Sequence, residues 1–131
     1  MACPQVLIVD DDPDLRAALR RELCGAGYDC AEAGDADEAM AVMSDQLIDA
    51  VVSDYDMPGM NGLDLLQRIR LGHPHVFRIL LTGRADVEMA ARALNEGAAH
   101  RFLLKPWNRV ALSGILEMAL HSRRSERIRV R

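Results

Sequence analysis

The sequence predicts a doubly wound α/β fold, in which a five-stranded parallel sheet lies between two layers of helices. Short apolar runs rich in β-branched residues alternate with helical patterns five times along the 131 residues, as successive βα units do. Several of these runs are apolar without alternation, which is typical of strands covered on both faces. The length and the 50% hydrophobic composition suit one domain with its own core.

The five apolar runs are the candidate strands. They are Val6 to Val9, Asp29 to Glu32, Ile48 to Ser53, Arg78 to Leu81 and Phe102 to Leu104. Right-handed crossovers through the intervening helices would make all five strands parallel.

Five helices are predicted between and after these strands, because apolar residues recur there at helical spacing. Their apolar faces contain Leu15, Ala18, Leu19 and Leu23; Ala39, Met40 and Met43; Leu66 and Ile69; Met89, Ala90, Ala93 and Leu94; and Leu112, Ile115, Leu116 and Ala119. Asp12 followed by Pro13 suits the start of the first helix, with a capping carboxylate and a proline at the first helical position. Gly27 and Gly97 suit helix ends.

Charge is unevenly distributed along the chain. Residues 1–64 carry 15 acids and 3 arginines, whereas residues 65–131 carry 5 acids and 13 basic residues, so a net charge of −4 conceals an acidic half and a basic half. The last eleven residues, HSRRSERIRVR, contain five arginines and one glutamate. Such a tail is more often a solvated helix end or linker than a nucleic-acid patch, so we do not expect this domain alone to bind nucleic acid.

The composition also indicates a cellular compartment. No apolar run approaches the roughly 20 residues of a membrane span, and Met1 to Gln5 is too short and polar to open a secretory signal. We therefore expect a cytoplasmic protein without membrane association. Cys3, Cys24 and Cys30 are odd in number and lack ligand spacing, which argues against a disulfide framework or zinc site. Buried or incidental thiols are the expected alternative.

Polar residues follow the predicted strands where a site would form. Asp10 and Asp11 follow the first strand and Asp54 the third, whereas Thr82 and Lys105 follow the fourth and fifth. In open α/β sheets, ligands bind beyond the carboxyl ends of the strands. Carboxylates on neighbouring strand ends suit Mg²⁺, which takes one or two carboxylates together with water and phosphate oxygens. A cation would also offset the repulsion among the acids.

Lys105 is the only lysine in a chain that has fifteen arginines. Its compact ammonium can contact a single carboxylate or phosphoryl oxygen in a tight pocket. Thr82 offers a hydroxyl donor, and Gly83 after it leaves clear space. The Lys105–Pro106 bond is a candidate cis peptide, although trans is the default for an X-Pro bond.

Five separated segments resemble the receiver domain of two-component response regulators. Those that carry it most clearly are LIVDDDPDLR, VVSDYDMPGMNGLDLL, LLTG and RFLLKP, and the resemblance covers about residues 4–122. It implies a flavodoxin-like (βα)5 sandwich with strand order 2-1-3-4-5, a receiver domain over residues 1–122, and a basic helix end or linker over residues 123–131 that could lead to an output domain.

The resemblance also implies a role for each site residue. Asp54 would be the phosphoacceptor, and Thr82 and Lys105 would hold phosphoryl oxygens. The metal ligands would be Asp10, Asp11, Asp54 and the Asp56 backbone carbonyl. Phe102 would be an aromatic switch, although a plain core role fits the residue as well.

A receiver of this kind would be a signalling switch rather than an enzyme, since it would catalyse only its own phosphorylation and dephosphorylation. Its partners would be a sensor histidine kinase or phosphotransfer protein, and an output domain or second copy that binds the face of helix 4, strand 5 and helix 5.

Two other classes of protein share features with parts of this sequence. VVSDYD also resembles the nucleophile motif of haloacid-dehalogenase-type phosphatases, so the alternative is a Mg²⁺-dependent aspartyl-phosphate phosphohydrolase; those proteins usually carry the motif on their first strand. A flavin or nucleotide module would want a glycine-rich or hydroxyl-rich loop after strand one, where this chain has DDDPD.

Asp56 and Arg84 follow Asp54 and Thr82 by two positions each. We expect both side chains at the mouth of the phosphoryl pocket and within reach of each other. An ion pair between them would restrict water access to the phosphoryl group, and substitutions of the two residues would then affect hydrolysis non-additively.

Overall fold

The computed structural model contains the predicted sandwich, with five parallel strands in the order β2-β1-β3-β4-β5. It describes the backbone of residues 3–130 and the side chains of residues 3–108 and 110–121. The strands are β1 (Gln5–Val9), β2 (Asp29–Ala33), β3 (Ala50–Asp54), β4 (Phe77–Thr82) and β5 (Arg101–Leu104). The predicted fold class and strand order are therefore confirmed.

A helix follows every strand. The helices are α1 (Pro13–Gly25), α2 (Ala36–Asp45), α3 (Gly62–Gly72), α4 (Val87–Asn95) and α5 (Arg109–Val130), and a 3-10 turn (Arg84–Asp86) precedes α4. Asp12 caps α1 by accepting the Asp14 N–H at 2.9 Å. Gly27 and Gly97 follow α1 and α4 with φ of 95° and 81°, a region that favours glycine.

Two core clusters lie on opposite faces of the sheet, because successive side chains along a strand point in opposite directions. On β1, Leu7 and Val9 belong to one cluster and Val6 and Ile8 to the other. The first cluster includes buried residues of α2, α3 and α4, and the second includes those of α1 and α5. Burial on both faces explains why the strand sequences are apolar without alternation.

The strand ends differ from the prediction in a way that affects the site. β3 ends at Asp54 and β4 at Thr82, one residue later than predicted in each case. Asp54 is therefore paired with Leu81 inside the sheet. Both side chains are buried, Asp54 at 4% and Thr82 at 1% exposure.

Helix α5 crosses the predicted boundary at residue 122 without a break and continues to Val130. The side chains of residues 122–131 lie outside the described residues, so the separate role of that segment stays a prediction. Within the described residues, no helix has the length and apolar composition of a membrane span.

The three cysteines are free thiols, and none is fully buried. Cys3 and Cys24 are exposed and Cys30 is half-buried. Burial and the neighbouring Cys24 raise the pKa of the Cys30 thiol to about 12. Cys30 packs against the core cluster that contains α1 and α5 residues, so the three thiols agree with the expectation of buried or incidental cysteines.

Candidate functional site

Asp10 lies directly after β1, and nearly all of its polar groups are held by neighbours. Its N–H donates to the Ala33 carbonyl at 3.1 Å, its Oδ1 accepts the Asp12 N–H at 2.9 Å, and its carbonyl accepts Arg16 Nη1 at 2.6 Å. Its side chain is 1% exposed, and Oδ2 is buried with no hydrogen-bond partner among the described residues. A buried carboxylate oxygen without a partner is costly, so this atom marks a ligand site.

Asp54 is the centre of the site. Lys105 Nζ lies 2.6 Å from Asp54 Oδ1, which forms an ion pair although the contact does not have hydrogen-bond geometry. The Asp54 backbone carbonyl accepts the buried Ser53 hydroxyl at 3.0 Å. The lysine that the sequence singled out therefore contacts the acid expected beside it.

Asp10, Asp11 and Asp54 can each place one carboxylate oxygen within 4.8 Å of the other two. Oxygens that share one Mg²⁺ at about 2.0–2.1 Å are separated by at most about 4.2 Å, so small side-chain adjustments suffice. Two of these acids are buried and Asp11 is exposed, which gives the cation an open side for water. Together with the unpartnered Asp10 Oδ2, this donor set fits a small hard cation.

The electrostatics of Asp10 agree with that fit. Burial raises the pKa of Asp10 above its ordinary value of 3.8, and the charge of Asp54 raises it further, against the opposing effects of the Asp12 N–H and Lys105. The ionised form of Asp10 is thus disfavoured in the folded protein without a further cation.

Thr82 and Lys105 meet at the adjacent strand ends. The Lys105 N–H donates to the Thr82 carbonyl at 2.9 Å, and the Thr82 hydroxyl donates to the Gly83 carbonyl at 3.3 Å. The Lys105–Pro106 peptide bond is cis, as the sequence suggested it could be. The structure therefore brings Asp10, Asp11, Asp54, Thr82 and Lys105 to one edge of the sheet.

Phe102 lies on β5, where it is half-buried and packs against the core cluster that contains α3 and α4 residues. This position is compatible with both a switch and a core role, so the switch role stays a prediction. Asp56 is exposed, and the metal-ligand role of its backbone carbonyl also stays a prediction.

The expected ion pair between Asp56 and Arg84 is absent from the described side chains. Both residues are exposed, and the ion pairs of the described region involve other residues. An exposed pair contributes only about 0–1 kcal/mol, too little to hold two side chains together at a loop edge. The pairing part of the expectation was wrong, whereas the gating role stays a prediction.

Gly62 is a site residue that the sequence analysis missed. A Cβ atom there would lie 2.1 Å from the Asp54 carbonyl oxygen and 3.0 Å from Leu80 Cδ1. The Gly62 N–H also donates to the Tyr55 carbonyl at 2.9 Å. Glycine directly after the α3 cap Asn61 is a poor helix former at an otherwise ordinary helix start, and that was the available signal.

Trp107 fixes the loop that carries Lys105. Its indole Nε1–H donates to Glu22 Oε2 at 3.1 Å, which joins this loop to α1, and its ring packs against the core cluster on that face. This contact between residues 85 positions apart has no local sequence signal.

Comparison with known proteins identifies similar chains across most of the length. The family described as the response regulator receiver domain matches residues 6–117. The C4-dicarboxylate transport transcriptional regulatory protein DctD of Rhizobium meliloti is 41% identical over 106 residues, which are 81% of this chain and 23% of that protein. The DNA-binding transcriptional regulator NtrC of Salmonella typhimurium is 36% identical over 88% of this chain and 24% of that protein. The chain thus spans about a quarter of these relatives.

Solved structures agree with these matches. The signal receiver domain of an HD domain-containing protein from Pseudomonas fluorescens has a TM-score of 0.88 and 36% identity, covering 98% of this chain and 95% of that one. Response regulator TrrA from Thermotoga maritima, solved in complex with Mg²⁺-BeF, has a TM-score of 0.79 and 29% identity, covering 88% and 98% of the two chains.

Replacing Gly62 by alanine should destabilise the fold, because the new methyl group would overlap the Asp54 carbonyl. Overpacking of this kind costs about 1–3 kcal/mol, so Gly62→Ala should lower Tm in thermal unfolding followed by circular dichroism. Gly72→Ala is the matched control, since it lies in the same helix with no atom within 4 Å of its Cβ position. Equal Tm values for the two variants would contradict the steric role of Gly62.

Neutralising Asp10 should stabilise the metal-free protein. With a raised pKa, folded Asp10 binds more protons than the unfolded chain does between pH 3.8 and the raised value, so stability is lost as the pH rises through that window. Asp10→Asn in EDTA should therefore raise Tm at pH 7, and by less near pH 4. Asp12→Asn is the control, because asparagine retains the helix cap. An equal rise in both variants would show that net charge alone is responsible.

Proposed function

The chain belongs to the response regulator receiver domain family, and from that premise we propose that Asp54 accepts a phosphoryl group from a sensor histidine kinase or phosphotransfer protein. The observation that supports this assignment is the position of Asp54, which is buried, shares a carboxylate cluster with Asp10 and Asp11, and contacts the Lys105 ammonium.

The reaction needs few groups from the protein. A carboxylate oxygen of Asp54 forms a bond to phosphorus while the bond between phosphorus and the donor's imidazole nitrogen breaks, and the imidazole leaves with the electron pair and takes up a proton. The Lys105 ammonium, 2.6 Å from Asp54 Oδ1, offsets charge on the transferring group. Positioning and electrostatics are the main contributions of the protein to phosphoryl transfer. A buried acid at a fixed strand end provides the positioning.

Mg²⁺ is the proposed cofactor, held by Asp10, Asp11, Asp54 and the Asp56 backbone carbonyl. When bound, the ion neutralises negative charge on the phosphoryl oxygens and the acid cluster. This donor set is supported by the clustered carboxylate oxygens and the unpartnered Asp10 Oδ2.

The proposed output is a shift of the face formed by α4, β5 and α5. The added phosphoryl group carries about two negative charges and strong acceptor oxygens. Thr82 would exchange its long hydrogen bond to Gly83 for one to the phosphoryl group, and Lys105 would follow the new charge. Phe102 on β5 would then change its packing as the aromatic switch.

The elements of that face carry exposed apolar side chains suited to a protein partner. They are Val87 on α4, Leu104 at the end of β5 and Met118 on α5. We propose an output domain or a second copy of the chain as the partner, and neither a membrane nor nucleic acid for this domain alone. The proposed location is the cytoplasm, and the proposed chemistry is limited to the chain's own phosphorylation and dephosphorylation.

Phosphorylation should occur at Asp54. Incubation with acetyl phosphate or phosphoramidate and Mg²⁺ should add one phosphoryl group to the intact protein in mass spectrometry, and Asp54→Asn should abolish it. Asp45→Asn is the control, since it removes an exposed acid at the end of α2, outside the proposed site, and should leave the modification intact. Persistent modification of the Asp54 variant would place the acceptor elsewhere.

Asp56 and Arg84 should control the lifetime of that phosphoryl group, because both flank the strand ends that hold it. A barrier change of about 1.4 kcal/mol alters a rate tenfold, so autodephosphorylation is a sensitive measurement. Since the two side chains form no ion pair in the structure, Asp56→Ala and Arg84→Ala should change the rate additively while Tm stays nearly constant. Unchanged rates in both variants would show that neither residue acts on the phosphoryl group. A strongly non-additive effect on the rate in the double variant would show that the two residues act as the pair that the sequence suggested.

A further inference from the structure

We propose that Arg16 is a positioning residue for the metal site, because its guanidinium holds the backbone carbonyl of Asp10 while Glu32 holds the guanidinium. This inference rests on the proposed function and adds a residue to it. Arg16 Nη1 donates to the Asp10 carbonyl at 2.6 Å, and Arg16 Nε donates to Glu32 Oε1 at 3.3 Å. One planar group therefore joins the end of β1 to the end of β2.

A second arginine, Arg20, also holds the Glu32 carboxylate. Arg20 Nη1 donates to Glu32 Oε2 at 2.6 Å, so the two Glu32 oxygens have different arginine partners. These contacts, led by that with Arg20, lower the pKa of Glu32 and keep it ionised. Gly34 allows the arrangement, since a Cβ there would lie 3.3 Å from Arg16 Nη1.

As a consequence, Asp10 has one carboxylate oxygen, Oδ2, available to bind a cation. The Asp10 N–H, carbonyl and Oδ1 all have partners, from Ala33, Arg16 and Asp12 respectively. Only Oδ2 is buried without one. A ligand held in its binding geometry before the cation arrives loses little further freedom on binding, so the Arg16 contact should strengthen Mg²⁺ binding.

The charge of Arg16 alone predicts the opposite effect on Mg²⁺ affinity, which makes the proposal testable. Arg16 is a cation beside a cation site, so deleting its charge should tighten Mg²⁺ binding unless its positioning effect is larger. We expect Arg16→Met to weaken Mg²⁺ binding about tenfold, or about 1.4 kcal/mol, in isothermal titration calorimetry. Arg21→Met is the matched control, because it removes the same charge from an exposed position of the same helix, and the Asp10 and Glu32 contacts of the described region involve other arginines; its affinity should stay within about twofold.

A second measurement needs no metal. In the metal-free protein, the amide hydrogen of Asp12, which bonds Asp10 Oδ1, should exchange with solvent faster in Arg16→Met than in the wild type or in Arg21→Met. Methionine has a helix propensity close to that of arginine, so α1 should be retained, and Tm checks this.

If Arg16→Met does not fold, Arg16→Lys and Arg16→Gln decide the question. Lysine is long enough to reach the Asp10 carbonyl and glutamine is not. The lysine variant should therefore bind Mg²⁺ more tightly than the glutamine variant, despite its positive charge. Equal or tighter binding in Arg16→Met than in the wild type, or tighter binding in the glutamine variant than in the lysine variant, would overturn the positioning role. Absence of Mg²⁺ binding or Asp54 modification in the wild type would instead overturn the proposed function.

Discussion

Repulsion among carboxylates at one edge of the sheet is the constraint on which the rest of this site depends. Two carboxylates about 4 Å apart repel by roughly 4 kcal/mol at an effective dielectric near 20, a large part of the net stability of a small domain. Asp10 and Asp54 are both buried and Asp11 lies beside them. Within the described residues, the one side-chain cation in ion-pair contact with this cluster is Lys105, and it contacts Asp54.

The fold tolerates that repulsion because contacts to the backbone groups of Asp10 and Asp54 help to hold these two acids in place. Asp54 is held in register with Leu81 across β3 and β4, and its carbonyl leaves room only for the glycine at position 62. Asp10 is tied to β2 through its N–H and to α1 through the Arg16 contact. The hydrophobic clusters on both faces of the sheet supply the stability that these contacts need.

The strands and the acids could be predicted from the sequence because both depend on local pattern. Apolar runs indicated the strands, and a parallel sheet brings their carboxyl ends together, so Asp10, Asp54, Thr82 and Lys105 could be grouped before any geometry was known. Contacts between elements could not be predicted in this way. Gly62 is required because a Cβ there would overlap the Asp54 carbonyl of β3, and Trp107 fixes its loop by donating to Glu22 of α1. The Asp56–Arg84 pair failed for a related reason, since equal spacing after two strand ends does not bring exposed side chains together.

The same arrangement connects the acid cluster to the far side of the sheet. Lys105 contacts Asp54 at the end of β3 through its ammonium and Thr82 at the end of β4 through its backbone N–H, and of these two strands β4 is the one next to β5. A change of charge at Asp54 therefore acts on two adjacent strand ends at once. Trp107 ties the Lys105 loop to Glu22 on α1, which restrains this loop on the side of α1. Since β4 is itself paired with β5, a rearrangement at the end of β4 has a direct route to the strand of the proposed output face.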